Sequence, residues 1–309
     1  MSPSAKSVKL RLNIWDTFRQ SHKTSNAYIP ERFERAVLKH IILNNTAIPT
    51  NNTQYPLLLG IQGPYGFGKT YMVKEVCKKY NISLKPLSTS DLSGGIEGDS
   101  KKQLKKLYYD TCFEISRSKR CAVILIDDFH LTIATADSMG KTVNTNILAS
   151  YMMNLCDNPV QADCRTPIIL TGNNFRRVYP AIVRDGRMDI FTWDPSIKDL
   201  DPIVRSIFKT KFSGIEDEVL TIMLEQYHDM NVAFFEQVAQ DLMNSSLDTA
   251  IDTFKQSGGE MSIAQLGESV KEAFSSIDLT EDNLLEVCRY RKAATLLDFE
   301  KNNASIRWG

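Results

Sequence analysis

No charge of one sign is in excess in these 309 residues: lysine and arginine total 37, aspartate and glutamate total 37, and the formal net charge is zero. A chain without a basic surplus has no general attraction to polyanions, so nucleic acid is not expected as a partner on electrostatic grounds. Cysteine is scarce and scattered. The six thiols, Cys77, Cys112, Cys121, Cys156, Cys164 and Cys288, form no C-x-x-C pair, and no histidine stands at metal-ligand spacing. Neither a disulfide framework nor a zinc site is therefore expected, and the cysteines read as reduced thiols in a cytosol-like compartment. No apolar run approaches the roughly 20 residues that cross a bilayer, and none follows the basic N-terminus, so neither a membrane span nor a signal segment is expected. Single cores stop growing at about 250 to 300 residues, so the chain is expected to divide in two.

What is present is a phosphate-binding loop. Gly63-Pro64-Tyr65-Gly66-Phe67-Gly68-Lys69-Thr70 fits G-x-x-x-x-G-K-[ST] directly after the apolar run Leu57 to Ile61. Such a loop turns backbone N–H groups toward phosphates, with the lysine reaching the β and γ oxygens and the hydroxyl ligating magnesium. Glycine is needed where a Cβ would block the phosphates. The nucleotide-binding set is therefore Gly63 through Thr70 with the adjoining Tyr71, the expected ligands are ATP and Mg2+, and Thr70 is a metal ligand.

From Leu57 onward, short apolar runs alternate with amphipathic stretches, the pattern of a parallel α/β sheet. Strands are expected at 57–62, 83–87, 121–127, 167–171 and 190–193, with helices at about 69–80, 100–118 and 142–156. After Asp194-Pro195 helical periodicity takes over, in segments such as Ile215 to Gln226, Val232 to Met243 and Leu284 to Phe299. The expected division is a basic N-terminal arm at 1–27, an α/β nucleotide-binding subdomain at 28–195 and an α-helical small subdomain at 196–309. The arm carries Lys6, Lys9, Arg11, Arg19 and Lys23 around Trp15; it reads either as a docking segment or as a terminus that packs locally.

Three further elements carry chemistry. The strand Cys121 to Ile126 ends in Asp127-Asp128, a Walker B arrangement: Asp127 suits the magnesium shell and Asp128 suits a base that polarises the attacking water. A strand ending in two acids is, taken alone, more often a turn or helix cap, and it is the P-loop about sixty residues upstream that favours the Walker B reading. The strand Pro167 to Thr171 ends in Gly172-Asn173-Asn174, where the amide of Asn173 can orient water and γ-phosphate without adding negative charge; it also fits a plain turn. Arg184-Asp185-Gly186-Arg187-Met188-Asp189 places two guanidinium groups three residues apart. Arg184 and Arg187 suit arginine fingers reaching a neighbouring subunit's site, or a surface salt-bridge cluster with Asp185 and Asp189.

The order of these elements resembles that of the AAA+ P-loop ATPases. A narrower resemblance, to Rubisco activase, is carried by Thr142 to Asn146, Met153 to Pro159, Pro167 to Phe175, Arg184 to Asp189 and Phe191 to Trp193. It runs from about Ile29 and weakens after about residue 245. It implies a hexameric ring that spends ATP hydrolysis on pulling at Rubisco to release inhibitory sugar phosphates, in a cytoplasmic or chloroplast stroma-like compartment. By the same resemblance Leu92 to Gly98 aligns with a first pore loop and about Leu131 to Lys141 with a second, although both also fit ordinary surface loops.

Departures accompany the likeness. Ile126-Asp127-Asp128-Phe129-His130-Leu131-Thr132-Ile133 lacks the glycines that follow the family's Walker B strand. Glu260 to Gln265 offers no arginine where the family places its lid sensor. No small-subunit-like extension follows Trp308, so tethering through one is not expected. Three other readings stay open: a divergent relative acting on a different protein client, a nucleic-acid loader or switch using Lys101, Lys102, Lys105 and Lys106, and a regulatory relative that binds nucleotide without turnover.

Overall fold

A computed structural model of the chain describes residues 27–47, 55–88, 99–129, 143–160, 164–175, 180–212, 214–277 and 279–306. The basic arm with Trp15 and both pore-loop candidates lie outside the described residues. The described residues group into two compact units, one from Ile29 to Asp194 and one from Pro195 onward that also takes in Tyr28.

The first unit is built on a five-stranded sheet in the order β2-β3-β4-β1-β5, parallel at every pairing. Its strands are β1 (Leu58–Gln62), β2 (Ser83–Leu87), β3 (Ala122–Ile126), β4 (Ile168–Gly172) and β5 (Met188–Thr192). The helices are α1 (Glu31–Asn45), α2 (Lys69–Lys79), α3 (Asp99–Ser118) and α4 (Val143–Asp157). Residue choice follows position in the sheet. The inner strands β3 and β4 read AVILI and IILTG and are buried at every residue, as strands covered on both faces require. Edge strand β2 contains Pro86, which removes a ladder donor and is tolerated where no further strand pairs. Edge strand β5 exposes Asp189 and Ile190.

Helix α3 presents Leu104, Tyr108 and Cys112 at i, i+4 spacing to a core shared with Ile124, Ile126, Leu148, Met152, Leu155 and Ile168. Each fully buried side chain of Leu or Ile size contributes about 1.5–3 kcal/mol. The opposite face of α3 carries Lys101, Lys102, Lys105 and Lys106, all exposed.

One buried group makes this unit pH-sensitive. His40, on α1, is 6% exposed. Burial pushes its pKa from 6.5 down to about 3; carbonyls of Ile168 and Leu57 pull it back up, and Arg165 adds to the depression. The unfolded chain therefore takes up a proton that the native chain refuses. The stability contribution of neutral His40 is complete above pH 6.5 and declines as pH falls toward 3, at up to about 1.4 kcal/mol per pH unit. Between pH 7 and 5 the loss is expected to be roughly 2 kcal/mol. Thermal melts of wild type and His40→Leu across that interval check this: the variant should lose the slope, and parallel declines would exclude His40 as its source.

The second unit is helical throughout its described residues: α5 (Ile197–Lys211), α6 (Asp217–Gln226), α7 (Val232–Gln256), α8 (Ile263–Ser275) and α9 (Glu281–Ile306). Its core gathers Phe208, Leu220, Met223, Phe235, Val238, Leu242, Leu284 and Cys288. Local signals set the helix starts. Asn231 accepts the Phe234 N–H at 2.9 Å and caps α7; Ser262 and Gln265 form a capping box on α8. The Glu260 to Gln265 stretch is thus a helix start.

Candidate functional site

The loops that carry the chemistry all leave the carboxyl ends of parallel strands. β1 lies between β4 and β5, whereas the chain leaving it travels by way of α2 to β2 at the far edge. That reversal opens the crevice where open α/β sheets bind ligands. Gly63 to Gly68 follow β1, Asp127 and Asp128 follow β3, Asn173 follows β4 and Trp193 follows β5.

The P-loop is formed. Gly68 adopts φ 74° at the N-terminus of α2, a left-handed conformation that costs L-residues with a Cβ. Gly63 is buried, and a Cβ there would lie 1.9 Å from the carbonyl oxygen of Trp193. Lys69 is 7% exposed, and its ammonium donates to the carbonyls of Gly63 and Pro64, each at 2.8 Å. Burial lowers its pKa while Asp128 and Asp127 partly offset that fall, so both carboxylates lie within electrostatic reach of the ammonium. Phosphate oxygens are stronger acceptors than these carbonyls, because they carry full negative charge and add a direct ionic attraction to the ammonium. Tyr65 and Tyr71 are exposed at 62% and 54%.

A cluster of oxygens stands beside the lysine. Thr70 Oγ1 donates to Asp127 Oδ1 at 2.5 Å, Thr171 Oγ1 donates to the same oxygen at 2.5 Å, and the two hydroxyls are 3.2 Å apart. The Asp128 N–H donates to Asp127 Oδ1 at 3.0 Å and to Thr171 Oγ1 at 3.2 Å. A hydroxyl and a carboxylate at this separation are the hard oxygen donors that magnesium selects, so the residues present fit that ion. Asp128 sits at φ 47°, which aspartate tolerates better than most residues; sparsely populated backbone of this kind collects at functional positions. Among the described residues, the buried Oδ1 of Asn173 has no hydrogen-bond partner.

The two arginines part company. Arg184 is exposed and, among the described residues, has no side-chain hydrogen bond or ion pair. Arg187 is bound bidentately to Asp157, at 2.9 and 2.7 Å. Its partner is thus neither Asp185 nor Asp189.

Three residues of this neighbourhood escape sequence reasoning. Thr171 is fully buried and holds Asp127; the signal for it is register, since Ile126 pairs with Leu170 and the next residues are Asp127 and Thr171. Trp193 donates its indole N–H to the Phe67 carbonyl at 2.9 Å, and its backbone N–H to Gln62 at 2.6 Å. Arg32 lies over the Trp193 ring at 4.5 Å and donates to the Asp194 carbonyl at 2.9 Å. Their link to the loop runs through space, so no local pattern announces it.

The ATPase family associated with various cellular activities (AAA) matches residues 59–195, the segment that holds the P-loop, Asp127, Asp128, Thr171, Asn173, both loop arginines and Trp193. Among curated relatives, the chain is 31% identical over 222 residues to the chloroplastic ribulose bisphosphate carboxylase/oxygenase activase of Arabidopsis thaliana, covering 67% of this chain and 45% of the relative. The chloroplastic activase of Solanum pennellii is 30% identical over 233 residues, 71% of this chain and 49% of the relative; that of Vigna radiata var. radiata is 31% identical over 222 residues, 67% and 49%. The matched stretch spans about half the length of these relatives. With their parallel sheet, P-loop and acid-tipped third strand, residues 59–195 form an AAA-family domain, and the chain is Rubisco activase-like over about two thirds of its length.

Proposed function

We propose that the chain hydrolyses ATP as a subunit of a hexameric ring and uses that hydrolysis to remodel Rubisco, releasing inhibitory sugar phosphates from it. The observation that carries the hydrolytic half is the convergence of Lys69, Thr70, Asp127 and Thr171 within hydrogen-bonding or electrostatic reach at the carboxyl edge of the sheet. Lys69 would bind the β and γ oxygens and the P-loop N–H groups would cradle the phosphates. Thr70 and Asp127 would hold a magnesium ion, which when bound supplies charge neutralisation between the phosphates. Asp128 would take the proton of the attacking water, and Asn173 would orient that water through its amide. The Rubisco half is supported by the activase relatives, and the same relatives support a reducing, stroma-like location. Among the described residues no helix is long and apolar enough to cross a membrane.

The deciding experiment mixes the purified protein and ATP with sugar phosphate-inhibited Rubisco and follows carboxylation. Recovery is expected with wild type and is expected to vanish with Asp128→Asn. ATP turnover without recovery would assign the ATPase to another client, and no turnover at all would remove the hydrolytic half.

A further inference from the structure

We propose that Arg187 acts within its own subunit, as a brace that holds the Ala181–Arg187 loop to Asp157, and that Arg184 is the one guanidinium this loop presents to a neighbouring nucleotide site. The role of Arg184 rests on the ring ATPase reading above; the brace rests on geometry within one chain.

All three guanidinium nitrogens of Arg187 are engaged. Nε donates to Asp157 Oδ1 at 2.9 Å, Nη2 to Asp157 Oδ2 at 2.7 Å and Nη1 to the Ala181 carbonyl at 2.7 Å. The side chain is 18% exposed, and the contact with Asp157 raises the guanidinium pKa further. One residue thereby ties the end of α4 to the beginning of the loop. The backbone completes the fixture: the Arg187 N–H donates to the Arg184 carbonyl at 3.0 Å, and the Arg187 carbonyl accepts from Leu58 of β1 at 3.1 Å. Gly186, at φ 86° with nothing within 4 Å of a Cβ built on it, makes the turn between the two arginines. For Arg187 to reach another subunit it would have to leave a planar, two-pronged pair that lysine cannot reproduce. Arg184, three residues earlier, is exposed and has no such commitment among the described residues.

Asp157 separates the two roles for Arg187. A finger is freed, or at least unharmed, when Asp157 becomes asparagine; a brace is lost. Steady-state ATPase measurements on wild type, Arg184→Ala, Arg187→Ala, Arg187→Lys, Asp157→Asn and the exchanged pair Asp157→Arg/Arg187→Asp read the difference. Removing a finger costs about 10³-fold or more in kcat, which is the expectation for Arg184→Ala. Misplacing one by about 1 Å costs up to about 10²-fold, so Asp157→Asn, Arg187→Ala and Arg187→Lys should lose about 10- to 10²-fold in kcat with KM for ATP little changed. The exchanged pair should regain most of that loss although it has no guanidinium at position 187. Full activity in Asp157→Asn, together with an inactive exchanged pair, would overturn the proposal and make Arg187 a finger.

A second readout needs no turnover. Hydrogen exchange of the amides from Ala181 to Met188 should quicken in Asp157→Asn and slow again in the exchanged pair, with the thermal melt confirming that each variant is folded. Unchanged exchange would refute the brace whatever the activities. Turnover that ignores both Arg184→Ala and protein concentration would refute the ring reading, leaving the exchange data to decide the brace.

Discussion

Lys69→Ala is expected to lower ATP turnover by at least about 10²- to 10³-fold, the cost of removing one preorganised donor aimed at developing charge, and to weaken nucleotide binding in the same variant. The ammonium is buried, with both Asp127 and Asp128 within electrostatic reach. No neighbouring cation among the P-loop residues can replace it, since the loop is otherwise Gly-Pro-Tyr-Gly-Phe-Gly before Thr70. Its present partners are two carbonyls of its own loop, so the substitution removes a desolvated charge as well as two hydrogen bonds. The melting temperature should therefore move far less than the activity. Titration with a fluorescent ATP analogue and a coupled turnover assay check both halves; wild-type turnover in Lys69→Ala would show that the P-loop is not where ATP is used.

Gly63→Ala is expected to have the largest effect on stability. Its Cβ would stand 1.9 Å from the Trp193 carbonyl oxygen and 2.9 Å from the carbonyl carbon. These are backbone atoms, and no rotamer relieves the overlap. The ends of β1 and β5 must separate, breaking the bond from the Trp193 N–H to the Gln62 carbonyl at 2.6 Å and pulling the Trp193 indole from the Phe67 carbonyl. Overpacking typically costs 1–3 kcal/mol and an added backbone strain of order 1–3 kcal/mol, so a loss of about 3 kcal/mol or more is anticipated. For a unit of this size that is a fall in melting temperature on the order of 10 °C. Gly186→Ala is the control: it meets no atom within 4 Å and bears only the positive-φ term, about 1–2 kcal/mol. Circular dichroism melts should separate the two variants; equal shifts would mean that the contact with Trp193 yields without cost.

Much of the first unit was legible in the chain because the relevant signals are local. Runs such as Ala122 to Ile126 and Ile168 to Gly172 are apolar along their length because both faces of a central parallel strand are covered, and they can be read as buried strands without knowing the neighbours. The P-loop and the Asp127-Asp128 tip are contiguous, so their chemistry is written in consecutive residues. Helix α7 was less legible: apolar spacing suggests a segment from Val232 to Met243, whereas the helix continues to Gln256. Beyond Met243 its burial thins, with Asp248, Ile251, Asp252 and Phe254 exposed, so hydrophobic periodicity no longer tracks the helix.

The sequence by itself determined the P-loop motif, the acids at the tip of the third strand, the alternation that makes a parallel sheet and the change to helices after Pro195. Each depends on residues within a few positions of one another, where backbone geometry and solvent exposure follow directly from residue type. Only the tertiary structure decided that Thr171 shares Asp127 with Thr70, that Trp193 closes on the P-loop, and that Arg187 is bound to Asp157, 30 residues away, instead of to the adjacent acids. Those contacts join residues carried by different strands and helices. Their formation depends on strand order and register, which are set by the packing of the whole sheet and not by any short segment of it.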